Sequence, residues 1–145
     1  MGHMSDSPRI SQDAAIVLAL ADTAVPFASS LEDEAERWVR VMRMHGQVGA
    51  ALQALGVGEA PLATPVTGPG EGHGTEALGK SAVNAVGEAA GALARERGAR
   101  IVTTVDILFA TMELYGRAFD RALYVRGATR AELIDRLAGG VTAGV

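Results

Sequence analysis

The stretch Gly74-Thr75-Glu76-Ala77-Leu78-Gly79-Lys80-Ser81 matches the phosphate-binding loop pattern G-x-x-x-x-G-K-[ST] letter for letter. Such a loop wraps phosphate oxygens in backbone N–H groups while its Lys reaches the terminal phosphates. An apolar run ending in an acid, Ile101 to Asp106, stands where a magnesium-binding acid would be. The context argues against that chemistry. A phosphate loop follows a buried strand, but Gly74 follows Pro-Val-Thr-Gly-Pro-Gly-Glu-Gly-His. No set of apolar strands joined by helical crossovers is present to build the parallel sheet. The competing reading puts Gly79 to Ser81 in a helix and makes Thr103 and Asp106 a helix cap.

Other reactive residue types are sparse. The chain has no Cys, which excludes disulfides and thiolate metal sites. Met1, Gly2 and His3 are read as a cloning remnant before a native start at Met4, leaving His45 and His73. Neither has a second His or Cys at ligand spacing, so neither a metal nor another cofactor is implied. A net charge of −4 argues against a general nucleic-acid interface, which needs a basic face. No segment approaches the roughly 20 apolar residues of a membrane span. Ser5 to Gln12 carries no secretory n-region or h-region, so a cytoplasmic location is expected.

Apolar content of 48% with only 4% aromatic residues favours helices packed through small side chains. Ile10, Ala14, Val17, Leu18, Ala21 and Val25 recur at three and four, giving a first helix from Ser11 to Val25 that Pro26 stops. A second helix begins near Leu31 behind a Ser30–Asp33 capping box. Its apolar face is Trp38, Val41 and Met42, extended to His45. Gly46 breaks it, and a shorter helix with Val48, Ala51, Leu52 and Leu55 ends at Gly56. Residues 58–74 contain Pro61, Pro65 and Pro69 without periodicity and are read as a flexible linker.

The second half opens with a long helix, Thr75 to Arg97, striped by Val83, Val86, Ala90 and Leu93. Its Gly79, Gly87 and Gly91 imply that another helix passes close by. After Gly98 come helices with Ile107, Leu108, Thr111, Met112 and Tyr115, then Ala118, Phe119, Ala122 and Leu123, up to Gly127. A Thr129–Glu132 box opens a last helix with Leu133, Ile134 and Leu137, and the tail 139–145 is expected to fray, as is 1–8. Glu113 and Arg117, four apart, are expected to form a helix-surface pair. Trp38, Met42 and Met44 could line an adaptable peptide groove. The periodicity assigns Trp38 and Met42 to the core instead.

These elements come in two similar sets. Residues 9–57 and 75–138 overlay with Trp38 on Ile107 and Gly56 on Gly127. The expected fold is therefore all-α: about seven helices in a pseudo-twofold bundle of two repeats, with a Pro/Gly-rich linker between them.

The first copy reads ISQDAAIVLALADTAV, EAERWVRVM and HGQVGAALQALGV. The second reads GKSAVNAVGEAAGALARERGARIVTTVDILFATM and RAFDRALYVRGATRAELIDRL. In order and spacing this resembles the amino-terminal double repeat of Clp-type AAA+ unfoldases, over most of the chain. Ser11 takes the Thr position that opens a repeat, Glu36 the Glu of its "GTEH" stretch, and Thr104, Ile107 and Leu108 the matching positions of the second copy. The resemblance implies a non-catalytic domain that docks adaptors, substrates or degrons for proteolysis. In some members such a domain binds phosphoarginine, and in some it is the target of cyclic-peptide antibiotics. It also implies that Ser11 and Glu36 form one ligand pocket, the carboxylate holding a guanidinium and the hydroxyl a phosphate. In the second copy Val105 replaces the carboxylate and Lys80 stands at the Thr position, leaving Lys80 and Asp106 as its polar candidates. A stand-alone copy that captures cyclic peptides, as decoy or sensor, is the alternative function that the resemblance implies.

Overall fold

The computed structural model describes residues 9–57 and 78–143, with the side chains of Lys80 and 139–143 outside the description. Seven α-helices run through these residues. They are α1 (Gln12–Ala24), α2 (Leu31–Met42), α3 (Gly46–Ala54), α4 (Ala82–Glu96), α5 (Thr104–Tyr115), α6 (Arg117–Tyr124) and α7 (Arg130–Ala143). Short 3-10 turns at Val25–Phe27 and Gly79–Ser81 touch each other. The protein is all-α, with one addition the helical period did not announce. The two-residue strands β1 (Arg9–Ile10) and β2 (Ile101–Val102) pair in parallel, Arg9 beside Ile101 and Ile10 beside Val102. The expected linker 58–74 and the leading residues 1–8 lie outside the described residues.

Side-chain caps set where the helices start. Ser11 Oγ accepts the Ala14 N–H at 3.1 Å, and Ser30 Oγ accepts the Asp33 N–H at 3.1 Å. The expected box at Ser30 is displaced by one residue: the Asp33 carboxylate takes the Ser29 N–H at 3.1 Å and is also held by Arg37. At Thr129 and Glu132 the box is reciprocal, at 3.0 and 3.1 Å.

The helix stops carry the duplication. Gly56 and Gly127 sit at φ 84 and 88, where only glycine is unstrained. The following N–H groups, of Val57 and Ala128, reach back to Leu52 O and Leu123 O, both at 3.0 Å. From Ala50 to Val57 and from Arg121 to Ala128 the sequence of exposed and buried residues is identical. Packing is reciprocal as well: α2 lies on α6, α5 lies on α3, and α1 touches α4. A pseudo-twofold pair requires this arrangement. Trp38, Met42, Ile107, Leu108, Phe119, Leu123 and Leu133 are fully buried in the shared core.

Several sequence expectations are corrected. Helix α4 begins at Ala82, because Gly79 takes φ 72 and the chain makes a 3-10 turn first. A Cβ at Gly79, Gly87 or Gly91 would meet nothing within 4 Å, so among the described residues no helix crosses closely there. The close approaches are at Gly46, where a Cβ would stand 2.8 Å from Thr104 Oγ1 on α5, and at Gly49, where it would stand 2.8 Å from the Arg43 carbonyl oxygen. Glu113 and Arg117 form no pair, because α5 ends at Tyr115 and Gly116, at φ 51, turns the chain between them. Helix α7 is bounded at Ala143, and the two residues after it lie outside the described residues.

Candidate functional site

Three of the polar residues that the sequence singled out, Ser11, Glu36 and Asp106, are engaged within the fold. Ser11 caps α1 through its hydroxyl, and its backbone N–H donates to Val102 O at 2.9 Å, joining α1 to β2. Glu36 lies on α2 facing α6, with Arg126 Nη2 2.9 Å from its Oε1; the Arg126 side chain is 4% exposed and that of Glu36 17%. The carboxylate that the resemblance assigns to a ligand guanidinium thus holds the chain's own guanidinium. Arg126 Nη1 also reaches Ala122 O at 3.4 Å, while Nε and Nη2 make no hydrogen bond of good geometry. The described partners of Ser11 are Ala14, Ala15 and Val102 and the side-chain partner of Glu36 is Arg126, so no described polar contact joins the two.

Asp106 is buried on α5. It accepts the Thr103 N–H at 2.9 Å, and Arg97 donates to it from Nε and Nη2. The hydrogen bond to Asp106 raises the pKa of Arg97 above the usual guanidinium value. Capping and a two-pronged arginine leave this carboxylate little capacity for a ligand. Lys80 lies in the 3-10 turn Gly79–Ser81, and its side chain is outside the description.

Sequence reasoning missed the most elaborate polar feature. Trp38 Nε1 donates to the Tyr115 hydroxyl at 3.0 Å, and that hydroxyl donates to Glu34 Oε1 at 2.9 Å. Glu34 Oε2 accepts the Gly79 N–H at 2.8 Å, and Glu34 has no exposed surface. The chain of bonds ties α2 to α5 and to the turn that opens the second repeat. Burial pushes the Tyr115 phenol well above its ordinary pKa; the Trp38 hydrogen bond pulls it back, and the nearby Glu34 adds to the rise. The available signal was Glu34 itself, an acid on the same helical face as Trp38. With Glu32 and Asp33 it also fits an ordinary acidic helix start that favours the helix dipole, which hides it.

This network also bears on the phosphate-loop match. In a true phosphate loop the N–H of the second glycine faces an anion that arrives with the nucleotide. Here the Gly79 N–H is already held by a carboxylate. Residues 74–77 of the motif lie outside the described residues.

Trp38 and Met42 are core residues, whereas Met44 is 52% exposed. The His45 backbone N–H, not its ring, bonds the end of α2, donating to Met42 O at 3.2 Å. A shallow cleft of about 370 Å³ lies between α3 and α7, lined by Gln47, Ala50, Ala51, Arg136 and Leu137. Among the described residues no group of three His, Cys, Asp or Glu side chains could hold a metal, and no helix is long and apolar enough to cross a membrane. Neither a family model nor a curated protein sequence matches the chain.

Proposed function

We propose that this chain is a non-catalytic protein-docking domain of the Clp amino-terminal type, serving recognition of substrates, degrons or adaptors in proteolysis. One observation carries the reading: two helical repeats with matching glycine stops pack reciprocally, α2 on α6 and α5 on α3. The polar side chains of Ser11, Glu34, Glu36 and Asp106 all bond within the fold, which fits a structural use of them. A domain built this way offers surface more than a reaction centre.

Titration of the labelled chain with phosphoarginine tests the specific form. Because Arg126 sits against Glu36, saturable binding is expected to require its displacement and to strengthen in Arg126→Ala. Binding indifferent to both Glu36→Ala and Arg126→Ala would remove that pocket and leave general docking. A cyclic-peptide antibiotic that raises the melting temperature would favour the capture role, since a ligand selective for the folded state must stabilise it. Hydrolysis of magnesium ATP by the purified chain would overturn the non-catalytic reading altogether.

A further inference from the structure

The duplicated unit supplies an internal control for its own surface. Between Ala50–Val57 and Arg121–Ala128 exposure agrees residue by residue, so the fold makes the same demand at each pair. At the solvent-facing pairs the residue types nevertheless differ. Ala50, Gln53 and Ala54 of the first repeat stand against Arg121, Tyr124 and Val125 of the second. Tyr124 is 74% exposed and Val125 45%. Arg117 lies one turn before Arg121, so Arg117, Arg121, Tyr124 and Val125 form one outward stripe at i, i+4, i+7 and i+8. The opposite side of α6, Ala118, Phe119, Ala122 and Leu123, is buried in the core.

Among the described residues the charge on this stripe is uncompensated. Glu113 lies beyond the break at Gly116, and the Asp120 carboxylate holds Arg130 at 2.8 Å. Neither the Arg117 nor the Arg121 guanidinium has a carboxylate partner among the described residues. On this stripe two guanidiniums without a carboxylate partner among the described residues lead to an exposed aromatic ring. Arg and Tyr are also the residue types on which interface energy concentrates.

We propose that this face of α6 docks an acidic segment of a partner protein. The segment places two carboxylates a helical turn apart against Arg117 and Arg121, and an apolar side chain against Tyr124 and Val125. The proposal rests on the docking reading above and gives it a face and a partner chemistry.

The test is titration of the isotope-labelled chain with an alanine-based helical peptide carrying Glu, Glu, Leu and Leu at i, i+4, i+7 and i+8. A Lys-for-Glu peptide and a single-stranded RNA serve as further arms. Amide shifts are expected on α6 and the adjoining end of α5, with affinity falling as salt rises. Arg121→Glu or Tyr124→Ala is expected to weaken binding about tenfold. Gln53→Ala, at the symmetric position, is expected to leave it unchanged. Arg121 and Tyr124 are exposed and make no side-chain hydrogen bond among the described residues, so the melting temperature should hold in those two variants; Gln53→Ala loses its bond to Arg43 O and is read by binding alone, and the salt series needs no variant at all. Saturable shifts mapping elsewhere would overturn the face and leave the docking domain standing. No saturable shift, equal binding of the Lys peptide, or tighter binding of RNA would overturn the partner chemistry.

Discussion

Two of the interfaces that join the repeats place opposite chemistry at equivalent positions. Where α2 meets α6, Glu36 faces Arg126 across 2.9 Å with little water contact. Where α5 meets α3, the same two positions are Val105 and Leu55, both partly buried against the core. The helices nonetheless end in the same glycine geometry and show the same burial on either side. The fold therefore requires shape at these positions and is indifferent to charge. A buried ion pair recovers its desolvation cost only through good geometry, and Arg126 leaves Nε without a partner. Stability alone does not account for the pair.

That contrast can be broken by copying one interface into the other. Glu36→Val alone strands a guanidinium that is 4% exposed, and is expected to cost about 3–5 kcal/mol. Arg126→Leu alone leaves a carboxylate with 17% exposure that water can reach, and should cost less, about 1–3 kcal/mol. The double variant reproduces the Val105–Leu55 arrangement and should return to within about 1 kcal/mol of the parent. Urea unfolding of the four proteins measures this directly. A double variant as unstable as the sum of the singles would mean that the two interfaces are not equivalent.

A second asymmetry lies in the polar chain. In repeat register α2 starts about one turn earlier than α5, and that extra turn carries Glu34. Trp38, whose counterpart is Ile107, extends the chain through Tyr115. Tyr115 is 3% exposed, and burial holds its phenol above the usual value. The sign follows from proton counting. In the unfolded chain a tyrosine ionises near pH 10, whereas folded Tyr115 keeps its proton to higher pH. The folded state then binds more protons, so this contribution is complete below about pH 10 and is lost as pH rises above it, at up to about 1.36 kcal/mol per pH unit. In Tyr124→Phe, Tyr115 is the only tyrosine left, so phenolate absorbance should appear together with unfolding. Ionisation near pH 10 in the folded protein would sink the network.

How far the sequence could be read follows from which interactions are local. Caps at Ser30, Thr129 and Glu132, stops at Gly56 and Gly127, and the buried stripe Ile107, Leu108, Thr111, Met112 and Tyr115 are set by residues within a turn or two of each other. All were readable from spacing. What escaped was non-local. Nothing near Glu36 in sequence announces Arg126, and nothing near Glu34 announces Tyr115 or Gly79. The strand pair Arg9–Ile10 with Ile101–Val102 is too short for alternation to register. The Glu113–Arg117 pair failed for a local reason that spacing ignores, because Gly116 starts a new helix between them.

The glycines give the smallest effect and the finest distinction between the repeats. In α4, Gly87 and Gly91 sit at helix-interior positions where an added Cβ meets open space. In α3, Gly49 is surrounded by main chain, with the Arg43 and Met42 carbonyl oxygens 2.8 and 2.9 Å from its ideal Cβ. Those oxygens belong to the turn between α2 and α3 and cannot rotate away as a side chain could. Gly87→Ala and Gly91→Ala should each stabilise the fold by about 0.5–1 kcal/mol, through higher helix propensity and fewer unfolded conformations. Gly49→Ala should destabilise it despite the same gain in propensity, because the backbone must shift. Calorimetric melting of the three single variants gives the signs. If all three raise the melting temperature, the turn before α3 is looser than its packing indicates. If Gly87→Ala and Gly91→Ala lower it, a surface crosses α4 after all.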